Sequence, residues 1–178
     1  KMKNRKKNRW LNGIFASYVP GMDGVMLPDG TARLLPKGSK LQFQVHYTTT
    51  GRPEVDESKL GLYFTEAQNL KENIVVGPAN GKIEIPPHTK AHRDSSTKTF
   101  KQDVTLYSLF PHMHFRGKGF HYVAHYPDGT SETLLSVPNY DFNWQRFYEL
   151  SEPKFLPAGT RIISHAVFDN SAQNRLNP

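Results

Sequence analysis

Turns recur too often in this chain for long helices to fit between them. Pro20-Gly21, Pro28-Asp29-Gly30, Pro36-Lys37-Gly38, Pro127-Asp128-Gly129-Thr130 and Pro157-Ala158-Gly159 all pair a residue locked at negative φ with one free to take positive φ. Between them lie short extended runs. In Lys40-Leu41-Gln42-Phe43-Gln44-Val45-His46-Tyr47, apolar and polar residues alternate with period two, which predicts a half-buried strand with His46 on its polar face. Leu60-Gly61-Leu62-Tyr63-Phe64 and Val104-Thr105-Leu106-Tyr107-Ser108 predict further strands. Residues 119–126 and 131–137 predict a hairpin about the turn at 127–130. Residues 143–150 and 161–168 read as strands as well, and 82–87 as the start of a second sandwich-like passage. Residues 48–58 read as a polar loop, and His88 and His92 sit in what reads as a solvated loop. The expected class is all-β.

One phrase recurs. Leu35-Pro36-Lys37-Gly38-Ser39-Lys40-Leu41 is echoed by Leu156-Pro157-Ala158-Gly159-Thr160-Arg161-Ile162, roughly 120 residues later and about the length of one β-sandwich. Either two domains of similar build follow one another, or two common turn-and-strand phrases coincide. The tandem reading divides the chain into a basic tail (1–9), the C-terminal part of a first domain (10–80) and a second domain (81–178) that is itself cut short. A chain that starts with Lys also reads as a piece of something longer.

The formal net charge is +7, but Lys1, Lys3, Arg5, Lys6, Lys7 and Arg9 supply most of it and leave the rest at about +1. No recognised binding motif accompanies that tail, so specific nucleic-acid binding is not expected. No apolar run has the length of a membrane-spanning helix, and no apolar stretch makes the tail a signal peptide. There is no cysteine, so a transition metal must be held by His, Met, carboxylate or water.

The candidate chemistry lies in Leu109-Phe110-Pro111-His112-Met113-His114-Phe115-Arg116-Gly117-Lys118. If the backbone stays extended past Pro111, His112 and His114 project from one face and Met113 from the other. Two neutral imidazoles on one face suit Cu, Zn, Fe or Ni. By itself, a His-x-His pair is more often a hydrogen-bonded surface pair than a metal site. His121 and His125 share a strand face, but about 13 Å of strand separates them, too far to chelate one ion. His165 reads as a buried neutral residue, with a place at or beside a metal as the alternative. Trp144 reads as core, Asp169-Asn170-Ser171 as a turn, and Asp141 as a residue that could orient a ligand histidine.

Taken together, Gln44-Val45-His46-Tyr47, Pro111-His112-Met113-His114-Phe115-Arg116-Gly117-Lys118, Tyr140-Asp141-Phe142-Asn143-Trp144-Gln145 and Phe168-Asp169-Asn170-Ser171 resemble the ascorbate-dependent type II copper monooxygenases. That family includes the peptidylglycine α-hydroxylating and dopamine β-monooxygenases, and the likeness is to its bacterial relatives. It covers about residues 10–178. The resemblance implies two tandem antiparallel jelly-roll β-sandwich domains, the first incomplete here, with one copper in each. It implies His46 as a ligand of the first, electron-supplying copper, and His112 and His114 as ligands of the second, where oxygen binds. It implies Gln44 on an electron path. Copper, two ions in the full-length protein, and ascorbate or another reductant are the implied cofactor and co-substrate, and the implied location is extracytoplasmic.

The chain also departs from the family pattern. It has no His-His pair to complete the first site, and no Met after Met113 to complete the second. The position two residues before His112, where peptide-hydroxylating members carry an Arg for the substrate carboxylate, is Phe110. A glycine-extended peptide is therefore not the expected substrate. The function expected is part of a monooxygenase-like protein acting on a small-molecule or peptide substrate. The alternative is a non-catalytic extracellular β-sandwich module that retains a partial copper site and serves binding or assembly with a partner.

Overall fold

The computed structural model describes residues 14–19, 22 and 24–178. The basic tail lies outside the described residues. The chain separates into two compact units, one formed by Met26–Ile74 and the other by Val75–Pro178 with the described residues before Met26. Both are all-β. Among the described residues there is no helix, and hence none long and apolar enough to cross a membrane.

The smaller unit has one paired element, β1 (Thr31–Ala32) parallel to β2 (Lys71–Glu72). Residues 40–47 and 60–64, expected as strands, belong to no ladder. Leu41, Phe43, Val45 and Tyr47 are all exposed, as are Tyr63 and Phe64. Alternation decides which face of a strand would bury. A strand forms only when a neighbouring backbone takes up its N–H and C=O groups, and the described residues of this unit pair only β1 with β2.

The larger unit is a sandwich of two sheets. The first holds β3 (His92–Thr99), β8 (Arg161–Phe168), β5 (Gly117–His125) and β6 (Ser131–Val137) in that order, every pairing antiparallel. The second pairs β4 (Val104–Leu109) antiparallel with β7 (Tyr148–Leu156). Leu109 and Leu156 of the smaller sheet join Phe120, Tyr122, Ile162, Ala166 and Phe168 of the larger in one core, which Phe100 and Met113 complete.

The expected strands at 104–108 and 161–168 and the hairpin at 119–137 are present, because each carries an apolar face that the opposing sheet buries. At the hairpin turn the Thr130 backbone N–H and hydroxyl both donate to Asp128 Oδ1, at 2.9 and 2.7 Å. The second turn phrase places Gly159 at φ +92°, where a side chain would be strained, and its N–H donates to the Phe100 carbonyl at 2.8 Å.

Two boundaries differ from the sequence reading. Residues 82–87 form no strand, and the aromatic run from 143 joins a sheet only at Tyr148. Strand β3, expected as loop around His92, is the larger correction. Its sequence, His-Arg-Asp-Ser-Ser-Thr-Lys-Thr, has no apolar face. It forms because β8 offers a complete ladder from His92↔Phe168 to Thr99↔Arg161, and an edge strand tolerates polar residues on both faces.

Strand β7 yields a direct check of the sandwich. Leu156 is fully buried, while its neighbour Phe155 is 61% exposed. Leu156→Ala should lower the stability of this unit by roughly 2–5 kcal/mol. Phe155→Ala should change it by no more than about 0.5 kcal/mol. Urea unfolding followed by circular dichroism measures both.

Candidate metal centre

Strand β4 ends at Leu109, and the chain then crosses the end of the sandwich before β5 begins at Gly117. The crossing segment carries the His-x-His pair, and the core fixes its backbone. Tyr122, buried on β5, donates its hydroxyl to the Phe110 carbonyl at 2.9 Å. The Tyr140 hydroxyl donates to the Met113 carbonyl at 2.8 Å and accepts from the Met113 N–H at 3.0 Å. Burial pushes both phenols above their ordinary pKa, so they stay protonated donors. The segment closes in a turn, with the Gly117 N–H donating to the His114 carbonyl at 2.8 Å. A Cβ at Gly117 would lie 2.8 Å from both Met113 Cβ and Tyr140 Cδ1, so only glycine fits where turn and tyrosine meet.

A second clamp holds the far side of that turn. The Asp169 N–H donates to the Arg116 carbonyl at 2.7 Å, and Arg116 Nε donates to Asn170 Oδ1 at 2.8 Å. Asn170 Nδ2 in turn donates to the carbonyls of Ile85 and Pro86, both at 3.1 Å. The Asp169-Asn170-Ser171 turn expected from the sequence is therefore also the tie between the end of β8, the turn before β5 and the loop at 85–89. The Ser171 hydroxyl and N–H, and more weakly Lys118 at 3.5 Å, hold the Asp169 carboxyl below its usual pKa.

Within this frame Met113 is buried, at 4% exposure, and His112 and His114 are both exposed. The alternation expected of an extended segment holds. The two imidazoles lie 5.1 Å apart between centroids, with their planes at 75°. His112 Nδ1 is 2.6 Å from Gln145 Oε1. The amide oxygen can only accept, so in this contact Nδ1 donates. Gln145 is itself fixed by donating from Nε2 to the Phe142 carbonyl at 3.0 Å.

Aromatic rings flank the pair. Phe110 stacks on His112 at 6.0 Å and on Phe147 at 4.4 Å. Phe142 meets His114 at 5.9 Å and Phe115 at 4.4 Å.

The structure thus brings together His112 and His114. His46 and Gln44 lie in the Met26–Ile74 unit, exposed and outside any strand. Asp141 Oδ1 accepts from the Asn143 N–H at 2.8 Å, and Gln145, which the sequence reading did not single out, meets His112 Nδ1. Trp144 is 62% exposed rather than core, with the Arg146 guanidinium 5.3 Å from its ring centroid. Among the described residues no third His or carboxylate joins His112 and His114 in a cluster able to hold an ion. No family model, no characterised protein and no solved structure matches the chain.

Two outcomes follow from the clamps. Tyr140→Phe leaves both polar groups of Met113 without their partner, and should cost about 1–3 kcal/mol while shifting the His112 and His114 ring resonances in NMR spectra. The Asp169 carboxyl has a lower pKa folded than unfolded. Its stabilisation is therefore present above the unfolded value, about 3.9, and fades as pH falls through the folded one. Unfolding measured between about pH 5 and 2 should show a shallower acid loss in Asp169→Asn than in the parent chain.

Proposed function

We propose that this chain is part of a copper-dependent monooxygenase-like protein that hydroxylates a C–H bond with O2 and an external reductant such as ascorbate. The observation that carries the reading is the His112–His114 pair: two exposed imidazoles on one side of a pinned segment, with the Nδ1 of His112 already engaged. The donor chemistry fits copper, since imidazole suits both common oxidation states and no thiolate or carboxylate competes in the pair. Copper, when bound, would supply one-electron redox chemistry and a site for O2.

The chain's own residues do the rest. His112 and His114 would ligate, and Gln145 would orient His112 and raise its basicity. Tyr140 and Tyr122 fix the backbone from which both rings project, so little ligand entropy remains to be lost on binding. Phe110, stacked between His112 and Phe147, lines this side with an apolar wall instead of a cation. That favours a substrate without a carboxylate beside the reacting carbon. The tandem jelly-roll arrangement, a first copper ligated by His46, an electron path through Gln44 and an extracytoplasmic location belong to the same proposal and rest on the sequence resemblance.

A second reading has its own support. The Met26–Ile74 unit exposes Phe43, Tyr47, Val55, Tyr63 and Phe64, and apolar groups left in water on this scale suit a surface that meets another protein. On that reading the chain is an extracellular binding or assembly module retaining a partial copper site.

Copper content by atomic spectrometry after anaerobic reconstitution, with O2 uptake in the presence of ascorbate, separates the two. The proposal expects one equivalent of copper that depends on His112 and His114, so that copper content falls by one per chain in His112→Ala and in His114→Ala. It expects about 10–100-fold weaker binding in Gln145→Leu, the usual cost of removing a group that orients a metal ligand. Copper content that is the same with and without His112 and His114 sinks the reading. Retained copper with no ascorbate-dependent O2 uptake leaves the module.

A further inference from the structure

The face of the four-stranded sheet that turns away from the core carries a second histidine pair. In β5 beyond Gly119 the buried residues are Phe120, Tyr122 and Ala124, so His121, Val123 and His125 point outward. In β8 the buried residues are Ile162, Ser164, Ala166 and Phe168, so Ile163, His165 and Val167 do the same. The register sets His121 directly opposite His165 on the two central strands. It continues to Ser95 on one side and Ser136 on the other, so one polar row crosses all four strands. The two imidazoles stack, with centroids 4.6 Å apart and planes 18° from parallel.

Directly opposed residues on adjacent antiparallel strands have Cβ atoms about 4.5–5.5 Å apart. An ion held at about 2.0–2.1 Å from each of two nitrogens needs those nitrogens about 3–4 Å apart. Rotation of the two rings about their side-chain bonds is the movement that would bring one nitrogen of each to that separation.

The surroundings select the class of ion. Arg161 lies opposite His125 and Arg93 opposite Val167 on this face, and none of its outward strand positions is Asp or Glu. Hard cations such as Mg2+ and Ca2+ require carboxylate and carbonyl oxygen and find none here. A purely imidazole donor pair suits Zn2+, Ni2+ and Cu2+.

We propose that His121 and His165 form a surface chelate for a borderline divalent transition-metal ion, with water completing its coordination. This site is independent of His112 and His114, and it stands or falls without them.

The test uses the full chain carrying His112→Ala and His114→Ala, titrated with Zn2+ and followed by imidazole Cε1–H NMR and calorimetry. The expected result is saturation at one ion per chain, with the His121 and His165 resonances shifting and no response to Mg2+ at the same concentration. Binding should weaken at least ~10-fold in His121→Ala and in His165→Ala, and remain unchanged in His125→Ala, whose ring is about 13 Å along the strand from His121. His165→Gln keeps a polar side chain at the half-buried position, so a fold-preserving variant is available if His165→Ala loses its strand signal by circular dichroism. Unchanged Zn2+ affinity in folded His121→Ala or His165→Gln, or unshifted His121 and His165 resonances at millimolar Zn2+, overturns the proposal.

Discussion

The antiparallel pairing of β5 with β8 is the constraint on which the larger unit depends. Side chains alternate along both strands, so their register decides in one step what is buried and what meets water. In the observed register Phe120, Tyr122, Ile162, Ala166 and Phe168 share the core, and His121, Val123, His165 and Val167 share the opposite face. A slip of β5 by one residue would drive His121 and His125 into the sandwich and push Phe120 and Tyr122 out of it. The β-bulge between Gly117 and Gly119 absorbs the mismatch where β5 leaves the preceding turn, so the correct register coexists with a tight entry.

That register also places the candidate metal centre. Tyr122 reaches the Phe110 carbonyl only because it is on the inner face of β5, and Tyr140 reaches Met113 because Gly117 leaves room beside it. The histidines are then held from below. Buried hydroxyls grip the backbone, one thioether anchors the segment in the core, and the two rings that remain in solvent have their starting directions fixed. A loop that would otherwise be free to rearrange thus behaves as an extension of the sheet.

How much of this was legible depended on whether a residue's partner was near it in sequence. The strands at 104–108 and 161–168 and the 119–137 hairpin were readable because apolar alternation and turn chemistry are local signals. The opposite sides of His112 and Met113 were readable for the same reason. Gln145, which fixes His112, is 33 residues away, and nothing around it marks it as the partner. The His121–His165 pair was hidden likewise, since local spacing suggested only His121 with His125. Strand β3 was missed because an edge strand need not look apolar. Residues 40–47 were misread for the converse reason: their pattern is that of a strand, but the described residues supply no ladder for them.

Met113 lies between the two imidazoles in sequence but, unlike them, is buried, at 4% exposure, and belongs to the core cluster that includes Phe120, Tyr122 and Leu156. Thioethers are readily converted to sulfoxides, which turns an apolar filler into a polar, chiral group and disrupts the packing around it. Burial at 4% exposure keeps solvent oxidants from the sulfur unless the surrounding core opens locally. The anchor of the segment is thereby sheltered from the damage that redox chemistry at its outer face would generate.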